Sequence, residues 1–102
     1  MTLVEAKDFL FKTDPSSMDY LNEIVGIMIQ KFNISREECV GRINQEWNHI
    51  DTLVGFELFY HELPEVWAND FYFGHDSFWW FQGDERVKRK LPLLQPLPYP
   101  KN

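Results

Sequence analysis

Cysteine and long apolar runs are nearly absent from this sequence. The single cysteine, Cys39, excludes an intrachain disulfide and is typical of proteins that fold in a reducing compartment. No apolar run approaches the roughly 18 residues that a membrane-spanning helix requires. No basic segment followed by an apolar run opens the chain, so no signal peptide is expected. These absences together predict a cytoplasmic protein that has no membrane partner.

Positive charge is also scarce, because ten lysines and arginines accompany sixteen aspartates and glutamates. The net charge is −6 and the pI is about 4.9. Nucleic-acid binding needs a cationic surface for phosphate contacts, so this balance argues against DNA or RNA as a partner. If there is a macromolecular partner, the charge favours a basic protein. The sequence does not indicate an oligomeric state.

The chain lacks the spaced motifs that carry catalysis or bind cofactors. A zincin needs a second histidine four residues after the first, yet Glu65 stands four residues after His61. One cysteine is too few for a structural zinc site, and the five glycines are too scattered for a phosphate-binding loop. No Gly-x-Ser-x-Gly elbow surrounds Ser77. We therefore expect no catalytic, metal-binding or cofactor-binding residue.

Aromatic residues, by contrast, are abundant and concentrated in residues 56–81. This segment holds eleven of the seventeen phenylalanines, tyrosines and tryptophans of the 102-residue chain. Each buried ring removes about 150–250 Å² from water, so the segment could supply most of the driving force for folding. The length of the chain argues for one domain. We predict that residues 56–81 form the core around which the other elements pack.

Apolar residues repeat every three or four positions over most of the chain, which predicts a mainly α fold. We expect a small single-domain bundle of about four helices, over residues 3–12, 15–32, 36–48 and 64–73. Asn33 and Gly74 are placed to end the second and fourth helices. Each helix begins at residues suited to cap it, which are Thr2 with Glu5, Asp14 with Pro15, Ser35 with Glu38, and Pro64.

Residues 82–102 are predicted to form an extended tail. Four prolines between positions 92 and 100 exclude a helix there, and the neighbouring leucines favour packing on a protein surface over a free tail. Whether this basic tail packs on its own domain or on another stays open. The segment 52–60 has β-branched and aromatic residues typical of a short strand, but the sequence shows no partner strand for it.

Acidic, histidine and tryptophan side chains around the fourth helix are the candidate contacts with a partner. Carboxylates steer a basic partner, and tryptophans are common hot spots of interfaces. We interpret the chain as a non-enzymatic acidic interaction protein, and most concretely as an immunity-type inhibitor of a basic toxin or nuclease. The candidate contact residues are Glu57, His61, Glu62, Glu65, Asp70, His75, Asp76, Trp79 and Trp80.

Two other interpretations stay open. His61, His75 and Asp76 have the residue types of a small hydrolase-like or metal-dependent enzyme, although their spacing matches neither a ligand set nor a triad. Residues 24–45 read as two helices joined by a short turn, which is the outline of a helix-turn-helix DNA-binding regulator. The second of these helices begins with Arg36 but continues with two glutamates, which would repel phosphate.

Four segments of the chain resemble a group of small, uncharacterised bacterial proteins. They are GRINQEW (residues 41–47), YHELPEVWA (60–68), YFGHDSFWW (72–80) and PLPYP (96–100). The resemblance implies that the chain is a complete bacterial protein. It carries neither an activity nor a functional residue over to this sequence.

Overall fold

Three helices pack against one another to form the body of the protein. The computed structural model describes residues 3–53 and 62–99. Helix α1 (Pro15–Phe32) contacts both α2 (Arg36–Glu46) and α3 (Pro64–Phe73), and a short helix α4 (Asp84–Lys88) follows in the tail. These four helices dominate the described residues, so the predicted mainly α fold is confirmed.

Helix α1 has the bounds that its sequence predicts. Asp14 caps it by accepting a hydrogen bond from the Ser17 backbone N–H at 2.9 Å, and Pro15 occupies the first position. Asn33 ends it in the left-handed conformation, with a φ of 54°. Its inner face carries the fully buried apolar side chains of Leu21, Ile24, Val25 and Met28.

Helix α2 begins as predicted but ends two residues earlier. The Ser35 hydroxyl accepts a hydrogen bond from the Glu38 backbone N–H at 3.0 Å, while the Glu38 carboxylate accepts one from Arg42 Nε at 2.9 Å. Residues 47–49 form a turn because the Trp47 ring points toward α3, where it packs edge-on against Phe71 at 4.8 Å between centroids.

Residues 3–12 do not form the predicted first helix. They contain a 3₁₀ turn (Ala6–Asp8) and end in the short strand β1 (Lys12–Thr13). Two consecutive backbone N–H groups near the start donate to Asn22 Oδ1 at 2.7 and 2.9 Å, and one near the end donates to Asn44 Oδ1 at 3.0 Å. The Leu10 N–H would belong to the ladder of a helix over residues 3–12, and its bond to Asn44 removes it from that ladder, while the bonds to Asn22 attach the start of the segment to α1.

The side chains of this N-terminal segment alternate in burial, as in an extended chain. Phe9 and Phe11 are buried with their rings stacked 5.1 Å apart, whereas Leu10 between them is 76% exposed. The predicted cap at Thr2 lies outside the described residues. The capping box that the structure contains spans Glu5 and Asp8, three residues further along.

A two-stranded parallel sheet joins the N-terminal segment to the residues after α2. Strand β1 pairs with β2 (Thr52–Leu53), and Lys12 lies opposite Thr52. The strand considered over residues 52–60 is therefore present in its first two residues, and residues 54–61 lie outside the described part. Its partner belongs to the segment whose spacing predicts the first helix, so the sequence could not reveal the pairing.

Helix α3 has its predicted bounds and packs along α1. Pro64 occupies its first position, and Gly74 ends it with a φ of 97°, which favours glycine. The Tyr72 ring stacks on Phe32 of α1 at 3.9 Å between centroids. This contact directs the end of α3 toward the tail.

A short helix breaks the predicted extended tail. Helix α4 interrupts the predicted extended segment 82–102, because Gly83 turns the chain with a φ of 59° and two acids follow in the first helical turn. Residues 91–99 have no regular secondary structure. The Leu97 N–H donates to the Tyr72 carbonyl at 2.7 Å, and the Leu97 carbonyl accepts from Arg42 at 2.8 Å. The described tail thus packs on α2 and α3 of its own domain.

The core is centred on α1, α2 and the N-terminal segment. Of residues 56–81, only Ala68 and Phe71 belong to the buried cluster among those the structure describes. Phe78 and Trp80 are 44% and 48% exposed. The prediction that this stretch is the core is therefore wrong for its C-terminal end. Ring content shows how much apolar surface a segment has but not which rings face inward.

Candidate interaction surface

A pocket opens where the C-terminal end of α2 meets the C-terminal half of α3. Its volume is about 230 Å³, and we refer to it as the α2–α3 pocket. The turn after α2 contributes side chains to it, as does the 3₁₀ turn after α3 (His75–Ser77). The lining residues are Glu46, Trp47, His49, Trp67, Asp70, Phe71 and His75.

Three aromatic rings form the apolar wall of the pocket. Trp47 lies edge-on to Trp67 at 5.3 Å and to Phe71 at 4.8 Å between ring centroids. Phe71 is buried, and both indoles are half-buried. Trp67 and Phe71 are four residues apart on α3 and so share one face of the helix. The chain leaves α2 at Trp47, which brings the third ring onto the same face.

Asp70 organises the polar side of the pocket. Its Oδ1 accepts a hydrogen bond from Trp79 Nε1, and its Oδ2 lies 3.3 Å from His75 Nδ1. The Asp70 carboxylate is largely covered, whereas the His75 ring is exposed. Because an indole N–H can only donate, the bond from Trp79 requires an acceptor at this place. Trp79 therefore supports Asp70 from the side and does not project freely.

Glu46 extends the negative charge to the end of α2. Partial burial raises the pKa of Glu46 above its ordinary value, and the negative charges of Asp70 and Asp76 raise it further. Within the described residues, neither Glu46 nor Asp76 forms an ion pair with a lysine or arginine. Asp70 likewise has no lysine or arginine partner there, and its one recorded ion pair is with the His75 ring. We call Glu46, Asp70 and Asp76 the acidic patch.

A loop of four residues presents aromatic rings beside the acidic patch. This aromatic loop (residues 78–81) begins two residues after Asp76, and its Phe78 adopts a φ of 54°, which is rare for a bulky residue. The Phe78 and Trp80 rings lie 5.5 Å apart in an edge-to-face arrangement. Both rings remain nearly half exposed, so the loop displays apolar surface next to negative charge.

Arg86 of α4 holds the aromatic loop in place. Its buried guanidinium donates to the carbonyl of Ser77 at 3.0 Å and to those of Phe78 and Phe81 at 3.0 and 3.2 Å. It also donates to the carbonyl of Pro92 in the tail. A buried charge is tolerated when its donors are satisfied, and here backbone carbonyls satisfy them. The sequence gives no signal for this role, because backbone acceptors leave no trace in residue types.

Five of the nine predicted contact residues lie together at this surface. Asp70, His75 and Trp79 meet at the α2–α3 pocket, Asp76 is exposed in the 3₁₀ turn, and Trp80 is exposed in the aromatic loop. Their clustering follows from local structure, because they occupy the end of α3 and the two turns that follow it.

The other four predicted contact residues do not join this surface in the described structure. Glu62 and Glu65 are exposed at the opposite, N-terminal end of α3, where Glu65 lies 3.8 Å from Lys31 Nζ. Glu57 and His61 lie outside the described residues. The sequence also fails to predict the α2 side of the pocket, since nothing in local spacing shows that Glu46 and Trp47 approach α3.

The described residues do not assemble the groups of the enzyme interpretation. Among them, no set of three or more histidine, cysteine, aspartate or glutamate side chains could hold a metal ion. His75 pairs with Asp70, which that interpretation does not include. Burial raises the pKa of the Cys39 thiol to about 12, so the nucleophilic thiolate is disfavoured.

The contacts of α2 do not favour the helix-turn-helix interpretation. Helices α1 and α2 follow one another across a short turn, as that motif requires. Glu38 and Arg42, however, are buried within the body, and Arg36 pairs with Asp8 of the N-terminal segment. A recognition helix needs free side chains that can reach base edges. On α2 both arginines bond to groups of the protein itself, Arg42 in the interior and Arg36 at the surface.

Comparisons with known proteins assign no function to this chain. Neither protein-family models, nor curated proteins, nor solved structures show a significant match to the chain. The resemblance of four segments to small bacterial proteins therefore stays a prediction. Across residues 3–53 and 62–99, no helix has the length and apolar content needed to cross a bilayer.

Proposed function

We propose that the protein is a non-enzymatic interaction protein that binds a basic protein partner. Its binding face consists of the acidic patch (Glu46, Asp70 and Asp76) and the aromatic loop (residues 78–81). In the most concrete form of the proposal, it acts in the bacterial cytoplasm as an immunity-type inhibitor. It would then cover the active site of a toxin or nuclease, which is basic because it receives phosphate groups.

Three neighbouring carboxylates that form no ion pair with a lysine or arginine of the described residues, beside two exposed rings, are the observation that carries this proposal. Carboxylates at an interface accelerate the encounter with a basic partner and fix its orientation. Exposed tryptophan and phenylalanine rings supply apolar contact area, which a bound partner covers and removes from water. The raised pKa of Glu46 supports the same interpretation, because a cationic partner would relieve the repulsion that raises it.

The distribution of basic residues makes the surface more acidic than the composition suggests. Arg42 and Arg86 are buried and bonded inside the protein, so their guanidinium groups are not exposed at the surface beside the carboxylates. Residues 82–102 hold five of the ten bases, and Arg89 of this segment is paired with Glu85. A net charge of −6 on a chain of 102 residues steers basic partners at low ionic strength.

The proposal is tested by capturing partners from bacterial lysate on the immobilised protein. We expect a basic protein that is retained at about 0.05 M salt and released near about 0.5 M, because salt screens charges beyond the Debye length. The double variant Asp76→Asn/Trp80→Ala should lose it. The control variant Glu23→Gln, which removes an exposed carboxylate from α1, should retain it.

Two results would contradict this function. One is that every specifically retained protein is acidic or neutral. The other is that a basic protein binds the wild type, the double variant and the Glu23→Gln control equally, since binding would then depend on neither the acidic patch nor the aromatic loop.

A further inference from the structure

The α2–α3 pocket has the size of a site for a single side chain. Its volume of about 230 Å³ lies below the about 300–1,000 Å³ that is typical of pockets for drug-sized ligands and cofactors. The carboxylates of Glu46 and Asp70 line one part of it, and the indoles of Trp47 and Trp67 line another. The group that fits has to be small, cationic and able to pack against aromatic rings.

A guanidinium meets these requirements better than an ammonium. It is planar and stacks on aromatic faces, and its fork of N–H donors matches carboxylate oxygens. An ammonium is compact and strongly hydrated, so it gains less from half-buried indoles. Each oxygen of Asp70 already has one contact, with Trp79 or His75, but a carboxylate oxygen has two lone pairs and can accept another donor.

The chain itself holds a guanidinium between a carboxylate and aromatic rings, with two backbone carbonyls as further acceptors. Arg42 Nε donates to the Glu38 carboxylate at 2.9 Å. The guanidinium carbon lies 4.8 Å from the ring centroid of Tyr72 and 5.4 Å from that of Tyr99. A carboxylate and two aromatic rings thus surround one arginine inside the fold. The α2–α3 pocket offers two carboxylates and two half-buried indoles.

A second arginine shows the same arrangement at the surface. Arg89 Nε donates to the Glu85 carboxylate at 2.8 Å, and its guanidinium carbon lies 3.9 Å from the ring centroid of Phe81. In the part of the chain that the structure describes, no lysine or arginine lines the α2–α3 pocket. Among the described residues, the only groups of the lining that can carry positive charge are the imidazoles of His49 and His75, so the pocket leaves room for a guanidinium from another molecule.

We propose that the α2–α3 pocket receives an arginine side chain of the basic partner, with its guanidinium between Glu46 and Asp70 and against the indoles of Trp47 and Trp67. This inference rests on the proposed function, because it names the partner residue that anchors the same face. The arginine is the central contact of the proposed face. The exposed rings of the aromatic loop surround it and exclude water, as peripheral contacts do around a hot spot.

The test uses N-acetyl-arginine amide as the probe and the intact protein. Binding is followed by the ¹H–¹⁵N signals of the Trp47 and Trp67 indoles, with N-acetyl-lysine amide, N-acetyl-citrulline amide and choline as comparison ligands. Citrulline keeps the shape of arginine but has no charge. We expect saturable shifts of both indole signals with the arginine probe, weaker binding of the lysine probe and choline, and no saturation with citrulline.

A pair of variants connects the shifts to the carboxylates. Glu46→Gln should weaken binding of the arginine probe about tenfold, which corresponds to the loss of one charge-assisted hydrogen bond. Glu65→Gln removes an exposed carboxylate from the other end of α3 and should leave binding unchanged. Chemical denaturation of the Glu46→Gln variant, compared with the wild type, checks that the loss of binding is not a loss of folding.

Several outcomes overturn the arginine assignment. They are the absence of saturable indole shifts, equal binding of arginine and citrulline, tighter binding of choline than of arginine, or unchanged binding by Glu46→Gln. Any of these overturns the inference even if a basic partner is captured from lysate through the acidic patch. Conversely, failure of that capture overturns the proposed function, while saturable and Glu46-dependent arginine binding would still establish the pocket.

Discussion

At the scale of single residues, Glu46 is a carboxylate whose surroundings disfavour its charged form. Its carboxyl group is partly removed from water and lies near Asp70 and Asp76, so its folded-state pKa is raised. The folded state then binds the proton more tightly than the unfolded state does. The effect of Glu46 on the free energy of unfolding is absent at pH values below 4.5, the ordinary pKa of a glutamate. It is destabilising once the pH has risen through the raised pKa of the folded state.

Replacing Glu46 by glutamine is therefore expected to stabilise the protein at pH 7. The gain in unfolding free energy should stay below about 1 kcal/mol, because the group is partly exposed to water. Chemical denaturation at pH 7 and at about pH 4 measures it, and the gain should shrink at the lower pH, where the wild-type carboxyl is protonated in both states. A gain that grows as the pH falls would contradict the sign of the shift.

Arg86 is buried and should affect the proposed binding face only through the backbone of the aromatic loop that it holds. Arg86→Ala leaves three carbonyls of residues 77–81 and that of Pro92 without their buried donor. We expect a loss of about 3 kcal/mol in unfolding free energy and a changed Trp80 environment. Denaturation and tryptophan fluorescence measure the two effects. Lys88→Ala, an exposed position on the same helix, should change neither.

At the scale of secondary-structure elements, Gly41 is the point where the tail meets α2. A Cβ built on Gly41 would lie 1.9 Å from the Tyr99 hydroxyl oxygen, so the missing side chain makes room for the tyrosine ring. The neighbouring Arg42 donates a hydrogen bond to the Leu97 carbonyl, so one turn of α2 contacts both Leu97 and Tyr99 of the tail. The absence of a side chain at Gly41 therefore allows the tail to pack closely on α2.

Gly41→Ala is expected to displace the tail while leaving α2 intact, because alanine favours a helix over glycine by about 1 kcal/mol. The Leu97 amide, which donates to the Tyr72 carbonyl at 2.7 Å, is the reporter, and its hydrogen exchange should become about tenfold faster. Gly26→Ala is the matched control, since its Cβ would meet only Leu3 Cδ1 at 3.5 Å, an ordinary contact. Unchanged exchange at Leu97 would show that Tyr99 does not couple the tail to α2.

At the scale of the whole molecule, both terminal segments hold α2. The N-terminal segment binds Arg36 through the Leu3 carbonyl and the Asp8 carboxylate. The tail binds Arg42 and Gln45 through the carbonyls of residues 97 and 98. A helix whose sequence carries few apolar residues is thus fixed by polar contacts from both sides. The end of α2 is positioned in this way, and with it Glu46 and Trp47.

Helices α1 and α3 could be predicted from the sequence because their signals are local. Asp14 and Pro15 start α1, Asn33 ends it, and Pro64 and Gly74 delimit α3. Residues 3–12 could not be predicted correctly, because their backbone bonds go to side chains more than ten positions away. The short helix α4 depends on the left-handed turn that precedes it, which the charged composition of this segment does not reveal.

The sequence by itself determined the acidic charge, the single unpaired cysteine, the bounds of α1 and α3, and the grouping of Asp70, His75 and Asp76 at the end of α3. These follow from composition and from contacts within a few residues. Only the tertiary structure decided which rings are buried, that the tail packs on its own domain, and that Glu46 and Trp47 face α3 across a pocket. Those features depend on contacts between distant segments, whose geometry is set by the packing of the whole chain and not by any local pattern.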